Sequence, residues 1–206
     1  MSYIYVINES DDPQTSIALY RKVDDVMSIS VNAWMTAYIP IGSKARFNIG
    51  STYGIFISYT SAGGNIMYES AILPITDGEG SFRVTKSGSE INLIAVDSPE
   101  IANEVIVEVD KKVGRLIYIN VIRNNQIYYS LPTSPGYSQE FIVQNDLFIS
   151  KVRPEVVQGS VLVAREILIP PSVIQAGETA VLTGDVNTGY DFTIRKEAYS
   201  DFIYLP

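Results

Sequence analysis

The sequence predicts an all-β fold: an antiparallel β-sandwich-like composite domain of roughly a dozen strands. Three observations carry this reading. Short segments rich in Val, Ile, Thr and Tyr recur along the whole chain, and clusters of Gly, Pro, Asn and Asp bound them. No amphipathic helix longer than about three turns is visible. Apolar residues make up 46% of the 206 and charged residues 18%, so the chain can bury a sizeable core without disulfides or a structural metal.

Residues 2–7 read as a central strand, apolar on both faces, and 8–13 as a turn rich in Asp and Ser. Residues 15–20 form the next strand. Asp24-Asp25 opens a segment, 26–38, that breaks the two-residue period and carries the single tryptophan, Trp34. It reads as a helical turn or a bent strand plugging one end of the core, with Trp34 as a core anchor. Ala45, Phe47 and Ile49 alternate with Arg46 and Asn48, and a strand over 53–59 follows. Gly63-Gly64 marks a hairpin. Further strands are expected at 66–73, 81–85, 90–96 and 104–110. The longest, 115–123, is apolar on both faces except for Asn120, and Asn124-Asn125 turns it into 126–131. After a loop at 132–136, strands resume at 140–144, 146–152 and 156–164. Pro170-Pro171 is a hard break, because proline cannot donate to a ladder. The clearest hairpin joins 179–185 to 190–195 through 186–189. With no internal repeat or linker, one composite domain is expected over 1–195, with an apolar C-terminal extension over 196–206.

The chain has no histidine and no cysteine. That removes nucleophilic triads and the usual zinc donors, and an enzyme is not expected. The spacing of Gly177, Gly184 and Gly189 matches no nucleotide fingerprint, and no cofactor is implied. Net charge is −8 and the densest basic pair is Lys111-Lys112, which argues against nucleic acid. The most apolar stretch, 161–174, is interrupted by Arg165, Glu166 and Pro170-Pro171, so no membrane span is expected. Residues 1–7 read as a first strand, not a signal peptide, and the absence of cysteine fits a reducing compartment. A cytoplasmic location follows as the expectation.

Four constellations remain. A paired-carboxylate hydrolase would draw on Glu69, Asp77, Glu79, Glu166 and Asp185; the plainer role for Glu166 is an Arg165–Glu166 pair discouraging edge pairing. A calcium site would draw on Asp185, Asn187 and Asp191, with Asp77, Glu79 and Asp11-Asp12 as looser candidates. The plainer reading of 185–191 is a hairpin turn in which Asp, Asn and Gly supply the backbone angles. Tyr53, Tyr59, Tyr128 and Tyr129 could stack on a carbohydrate, or simply pack in the core or across strands. Finally, Phe202, Ile203, Tyr204 and Leu205 are four consecutive apolar residues that need cover. They either fold back as a last strand or add to the sheet edge of a second copy.

Two stretches carry a family resemblance. One is Ile4-Tyr5-Val6-Ile7-Asn8, then Thr15 to Tyr20, then Ala33-Trp34-Met35-Thr36. The other runs Ala164-Arg165-Glu166-Ile167-Leu168-Ile169-Pro170-Pro171-Ser172-Val173, then Asp191-Phe192-Thr193-Ile194. Their order resembles the RhiA family, bacterial proteins expressed in the rhizosphere under quorum-sensing control. The resemblance spans most of 3–60 and 113–195 and is poor from 63 to 112; Ile55 to Ser58 stands where the family has an aromatic strand. It implies bacterial origin and an all-β fold, and assigns no reaction. Together these readings predict a non-enzymatic bacterial structural protein that accumulates in the cytoplasm and self-assembles as an inclusion, crystal or filament. A β-sandwich binding module for carbohydrate or another small ligand is the alternative.

Overall fold

A computed structural model describes residues 2–21, 30–50, 52–97, 104–143 and 146–196. The chain is all-β. Its strands are β1 (Tyr3–Asn8), β2 (Gln14–Arg21), β3 (Ser30–Val31), β4 (Met35–Pro40), β5 (Lys44–Asn48), β6 (Tyr53–Thr60), β7 (Met67–Glu69), β8 (Leu73–Ile75) and β9 (Gly80–Ser87). They continue as β10 (Glu90–Ala95), β11 (Glu104–Val109), β12 (Ile117–Arg123), β13 (Gln126–Thr133), β14 (Ser138–Ile142), β15 (Leu147–Val152), β16 (Ser172–Ile174), β17 (Thr179–Asp185) and β18 (Gly189–Arg195). Two single 3-10 turns, Lys111–Val113 and Ala164–Glu166, are the helical elements among the described residues. β1 pairs parallel with β17 and β9 with β11, whereas β1–β5, β2–β4, β2–β15, β6–β12, β12–β13, β11–β14 and both hairpins β9–β10 and β17–β18 are antiparallel.

Within the composite domain expected over 1–195, contacts cluster into two compact units. The first gathers 1–24, 31–50 and 145–206; the second gathers 25–30 and 51–144. The weakly matching 63–112 stretch lies inside the second and supplies β7 to β11.

The first unit layers the sheet β18-β17-β1-β5 against β16-β15-β2-β4. Strand alternation sets the core between them: Ile4 and Val6 from β1, Ile17 and Leu19 from β2, Leu147 and Ile149 from β15, and Ala180 and Leu182 from β17 are all fully buried. The other face of β2 is covered too. Ala18 and Tyr20 pack there against Ala33, Val152, Val156 and Leu162. Two-sided burial explains why β2 reads as a continuous apolar run.

In the second unit β12 lies between β6 and β13, while β9 and β11 pair between β10 and β14. The edge-on contact of Tyr129 on β13 with Phe141 on β14, ring centroids 5.4 Å apart, ties one sheet to the other. Asn120 in mid-β12 is buried yet satisfied. Its Nδ2 donates to Ser58 Oγ at 2.9 Å, and its Oδ1 accepts from Ser130 Oγ at 2.7 Å. One polar side chain thereby bonds to both flanking strands, which offsets the cost of burying it.

Three expectations need correction. Residues 156–164 do not form a strand; Val156 and Ser160 donate to Arg153 and Val157 carbonyls three residues back, and Gly159 takes a φ of +85°. Pro154 opens this run of turns, which is shaped to drop Val156 and Leu162 onto β2. The expected 66–73 strand is split into β7 and β8, because Ser70 meets Ile57 through both its N–H and its Oγ. Of the 26–38 segment, 26–29 lie outside the described residues. The remainder is extended, with a bridge from Asn32 to Val161, and the helical-turn alternative is not seen in it. Trp34 is fully buried.

The β17–β18 hairpin gives a direct test of the backbone geometry. Gly184 sits at φ +106°, and a Cβ there would collide with the Gly189 carbonyl oxygen across the ladder. Gly184→Ala should therefore destabilise the fold by about 1–3 kcal/mol. Gly63→Ala, which meets nothing within 4 Å, should stay within about 0.5 kcal/mol of the parent. Thermal unfolding of both variants checks this; equal midpoints would contradict it.

Candidate functional site

The β6–β7 hairpin builds an exposed aromatic edge. Gly64 adopts a φ of +74° and donates to the Ser61 carbonyl, and Ser61 N–H closes the loop on Ile66 at 2.7 Å. This centres the turn on Gly63-Gly64 and sets Tyr59 directly opposite Tyr68. Their rings stack with centroids 5.3 Å apart and planes 26° from parallel. Arg115 rests on Tyr59 with its guanidinium carbon 5.7 Å from the ring centroid, while its Nη1 donates to the Thr60 carbonyl at 3.0 Å. All three residues of β7 are exposed, Met67 at 63% and Tyr68 at 45%.

This edge belongs to a pattern. Among the described residues, apart from Tyr118 on β12, every large apolar residue exposed within a strand sits on a terminal strand of its sheet. These are Tyr38 on β4, Met67 and Tyr68 on β7, Ile94 on β10, Ile142 on β14 and Val173 on β16. In contrast, the terminal strands β5 and β18 expose Lys44 and Arg46, and Asp191 and Arg195. Charged side chains of that kind discourage edge pairing.

A second cluster lies in the first unit, where the 8–13 loop meets β15 and β18. The loop is tied down from within: Asn8 donates to the Asp12 and Ile39 carbonyls and accepts from Ser10 Oγ. Lys151 Nζ lies 2.8 Å from Asp12 Oδ2 and 3.4 Å from the Tyr190 ring centroid, and the Tyr190 hydroxyl donates to Asp11 Oδ1 at 2.9 Å. Partial burial pushes the Asp12 carboxyl up, but the Lys151 hydrogen bond, the Gln14 N–H and the Lys151 charge together hold it below its ordinary value. The hydrogen bond to Asp11, then burial and the neighbouring carboxylate charges, raise the Tyr190 hydroxyl to about 12. The carboxylates here are occupied in holding the loop, and Lys151 is screened by an ion pair and a ring face.

The structure distributes the expected site residues widely. Glu69, Asp77 and Glu79 lie in the second unit, the latter two within one tight turn bridged from Thr76 to Glu79; Glu166 and Asp185 lie in the first. Glu166 caps its own 3-10 turn by accepting from Val163 N–H at 3.0 Å. Asp185 Oδ1 accepts from Asn187 and Thr188 N–H at 2.7 and 2.8 Å, and Asp191 Oδ1 accepts from Phe192 N–H at 2.8 Å. Those bonds are turn chemistry, and no group of three acidic residues is placed to hold a metal among the described residues. Tyr128 and Tyr129 are fully buried and Tyr53 nearly so, packed with one another and with Arg123, whose guanidinium lies 5.2 Å from the Tyr53 ring and 5.5 Å from that of Tyr128. Of the four tyrosine candidates, only Tyr59 reaches an open surface. Phe202, Ile203, Tyr204 and Leu205 lie outside the described residues, as do 197–201. Tyr68, Arg115 and Lys151 were not anticipated. Counting outward from Gly63-Gly64 would have paired Tyr59 with Tyr68, whereas nothing local marks the other two.

No family model matches this chain, and searches of curated proteins and of solved structures return no match. No helix among the described residues is long and apolar enough to cross a membrane.

The Asp12–Lys151 pair makes a pH-dependent prediction. Asp12 has a depressed carboxyl in the folded state, so its contribution is complete above the ordinary aspartate value and fades as pH falls through the folded one. Asp12→Asn should cost about 1–3 kcal/mol at neutral pH, because it strips a largely buried ammonium of its carboxylate. In denaturant titrations the gap between parent and variant should close on acidification; a gap independent of pH would refute this account.

Proposed function

We propose that this chain is a non-enzymatic structural protein of the bacterial cytoplasm, whose copies self-associate through open sheet edges into an inclusion, crystal or filament. One observation carries the proposal: exposed large apolar residues within strands gather on terminal strands, where unpaired backbone groups are also found. The absence of histidine and cysteine supports a role without catalysis. The resemblance to the RhiA family supports the bacterial setting, and the Phe202 to Leu205 tail supplies a further segment able to add to an edge. A second reading, carbohydrate binding, is favoured by the stacked Tyr59 and Tyr68, since a pyranose could lie on the exposed ring of Tyr68. A glycan array on the parent and on Tyr68→Ala tests it: hits lost in the variant would favour that reading.

Light scattering across a concentration series tests the main reading, on the full chain and on a chain ending at Arg195. Mass should rise with concentration, and more steeply with added salt, because net charge −8 repels like copies until it is screened. A strictly monomeric protein at every concentration and salt level would overturn it.

A further inference from the structure

We infer that β7 is a self-association seam, across which two copies pair antiparallel about Tyr68. The inference rests on the self-association reading and names the edge that carries it. Among the described residues strand β7 pairs only with β6, by Ser58 opposite Glu69, Tyr59 opposite Tyr68 and Thr60 opposite Met67. In an antiparallel ladder the bonded and non-bonded pairs alternate. Two hydrogen bonds fix the phase here: Ser61 N–H donates to the Ile66 carbonyl at 2.7 Å and Ser70 N–H to the Ile57 carbonyl at 2.9 Å. Tyr59 and Tyr68 are therefore a bonded pair, and Tyr68 spends its backbone groups on β6. Met67 and Glu69 turn theirs outward, at residues whose side chains are also exposed.

That phase suits a second copy of the same strand. With Tyr68 opposite its counterpart, Met67 of each copy faces Glu69 of the other as a bonded pair, giving four backbone hydrogen bonds. The Tyr68 pair is then non-bonded, the type in which side chains come closest. The Tyr59–Tyr68 stack would continue across the seam as a ladder of four rings, flanked at each end by Arg115. The Glu69 carboxylates are not directly opposite in this register; each lies across from Met67 of the other copy and diagonally from the other Glu69. The neighbouring β8 bounds the seam: Pro74 has no N–H to offer, and the chain steps out of register with β6 between Ser70 and Leu73.

Three variants of the full chain test the seam. Met67→Pro deletes an outward N–H that β6 does not use, and should weaken dimerisation about tenfold or more with far-ultraviolet dichroism unchanged. Tyr68→Cys introduces the sole thiol of a cysteine-free chain, at a separation of about 4.5 Å between Cα atoms that suits a disulfide. Mild oxidation should convert it to a covalent dimer, whereas Ile94→Cys on the β10 edge should not respond. If the parent self-associates while Met67→Pro does so equally and Tyr68→Cys forms no disulfide, the seam is overturned and the broader reading stands. A parent that stays monomeric at all concentrations overturns both.

Discussion

An open β-sheet ends in two rows of backbone N–H and C=O groups, and a chain whose described strands form four open sheets must dispose of both rows of each. The rest of this structure is arranged around that constraint. One parallel pair, β1 with β17, lets the C-terminal hairpin cover an edge of β1 that would otherwise be free. The outermost strands of that sheet then carry charge: Lys44 and Arg46 on β5, Asp191 and Arg195 on β18. Pro74 closes the β8 half of another edge, and Pro170-Pro171 precedes the three-residue β16. Against these guarded ends, β7 has one acidic residue, and Met35 to Pro40 on β4 has no charge at all.

Burial of polar groups follows the same accounting. Asn120 is tolerated in the most enclosed strand because serines on both neighbours answer it. Arg123 is only 2% exposed and lies against the faces of Tyr53 and Tyr128, so a cation is held at the core margin by ring quadrupoles. Burial raises the Tyr53 hydroxyl, with the Arg123 charge pulling the other way. In the first unit Lys151 plays the corresponding part under Tyr190, with Asp12 as counter-ion. Each unit thus sets a buried cation against a tyrosine ring, Arg123 in the second and Lys151 in the first.

What the sequence made legible follows from the range of the interactions involved. The all-β class and most strands come from alternation and turn residues, which are local; the β17–β18 hairpin and the Asn124-Asn125 turn, with φ of 52° and 60°, were readable from their own dipeptides. The 156–164 stretch reads as a strand but is not one, because Val156 and Leu162 are apolar for a tertiary reason: they cap the outer face of β2, and no local pattern reveals that. Tyr128 and Tyr129 show the same limit. Adjacent residues in a regular strand point to opposite faces, yet here both are buried with ring centroids 5.7 Å apart, because the β12–β13 register slips between Val121 and Ile122 and leaves Tyr128 as an extra, bulged residue. The site candidates fared by locality as well. Asp185 and Asp191 bond to backbone within three residues, as turn residues do, whereas the Lys151–Asp12 and Arg115–Tyr59 contacts join positions far apart in sequence.

Charge and edge chemistry pull in opposite directions in this protein. A net charge of −8 acts over about a Debye length and keeps copies apart at low salt. Backbone pairing acts only at contact, where the side chains on the edge itself rather than the net charge decide it. On the proposed reading, a protein held between the two would associate when it is concentrated or screened, and separate when it is dilute. The β7 seam fits that balance because it is short. Three residues supply enough hydrogen bonds and ring contact to select a register, but too little buried area for a permanent dimer. On the proposed reading a permanent assembly would require a second contact, and the apolar residues exposed on β4, β10, β14 and β16 offer candidate edges for it.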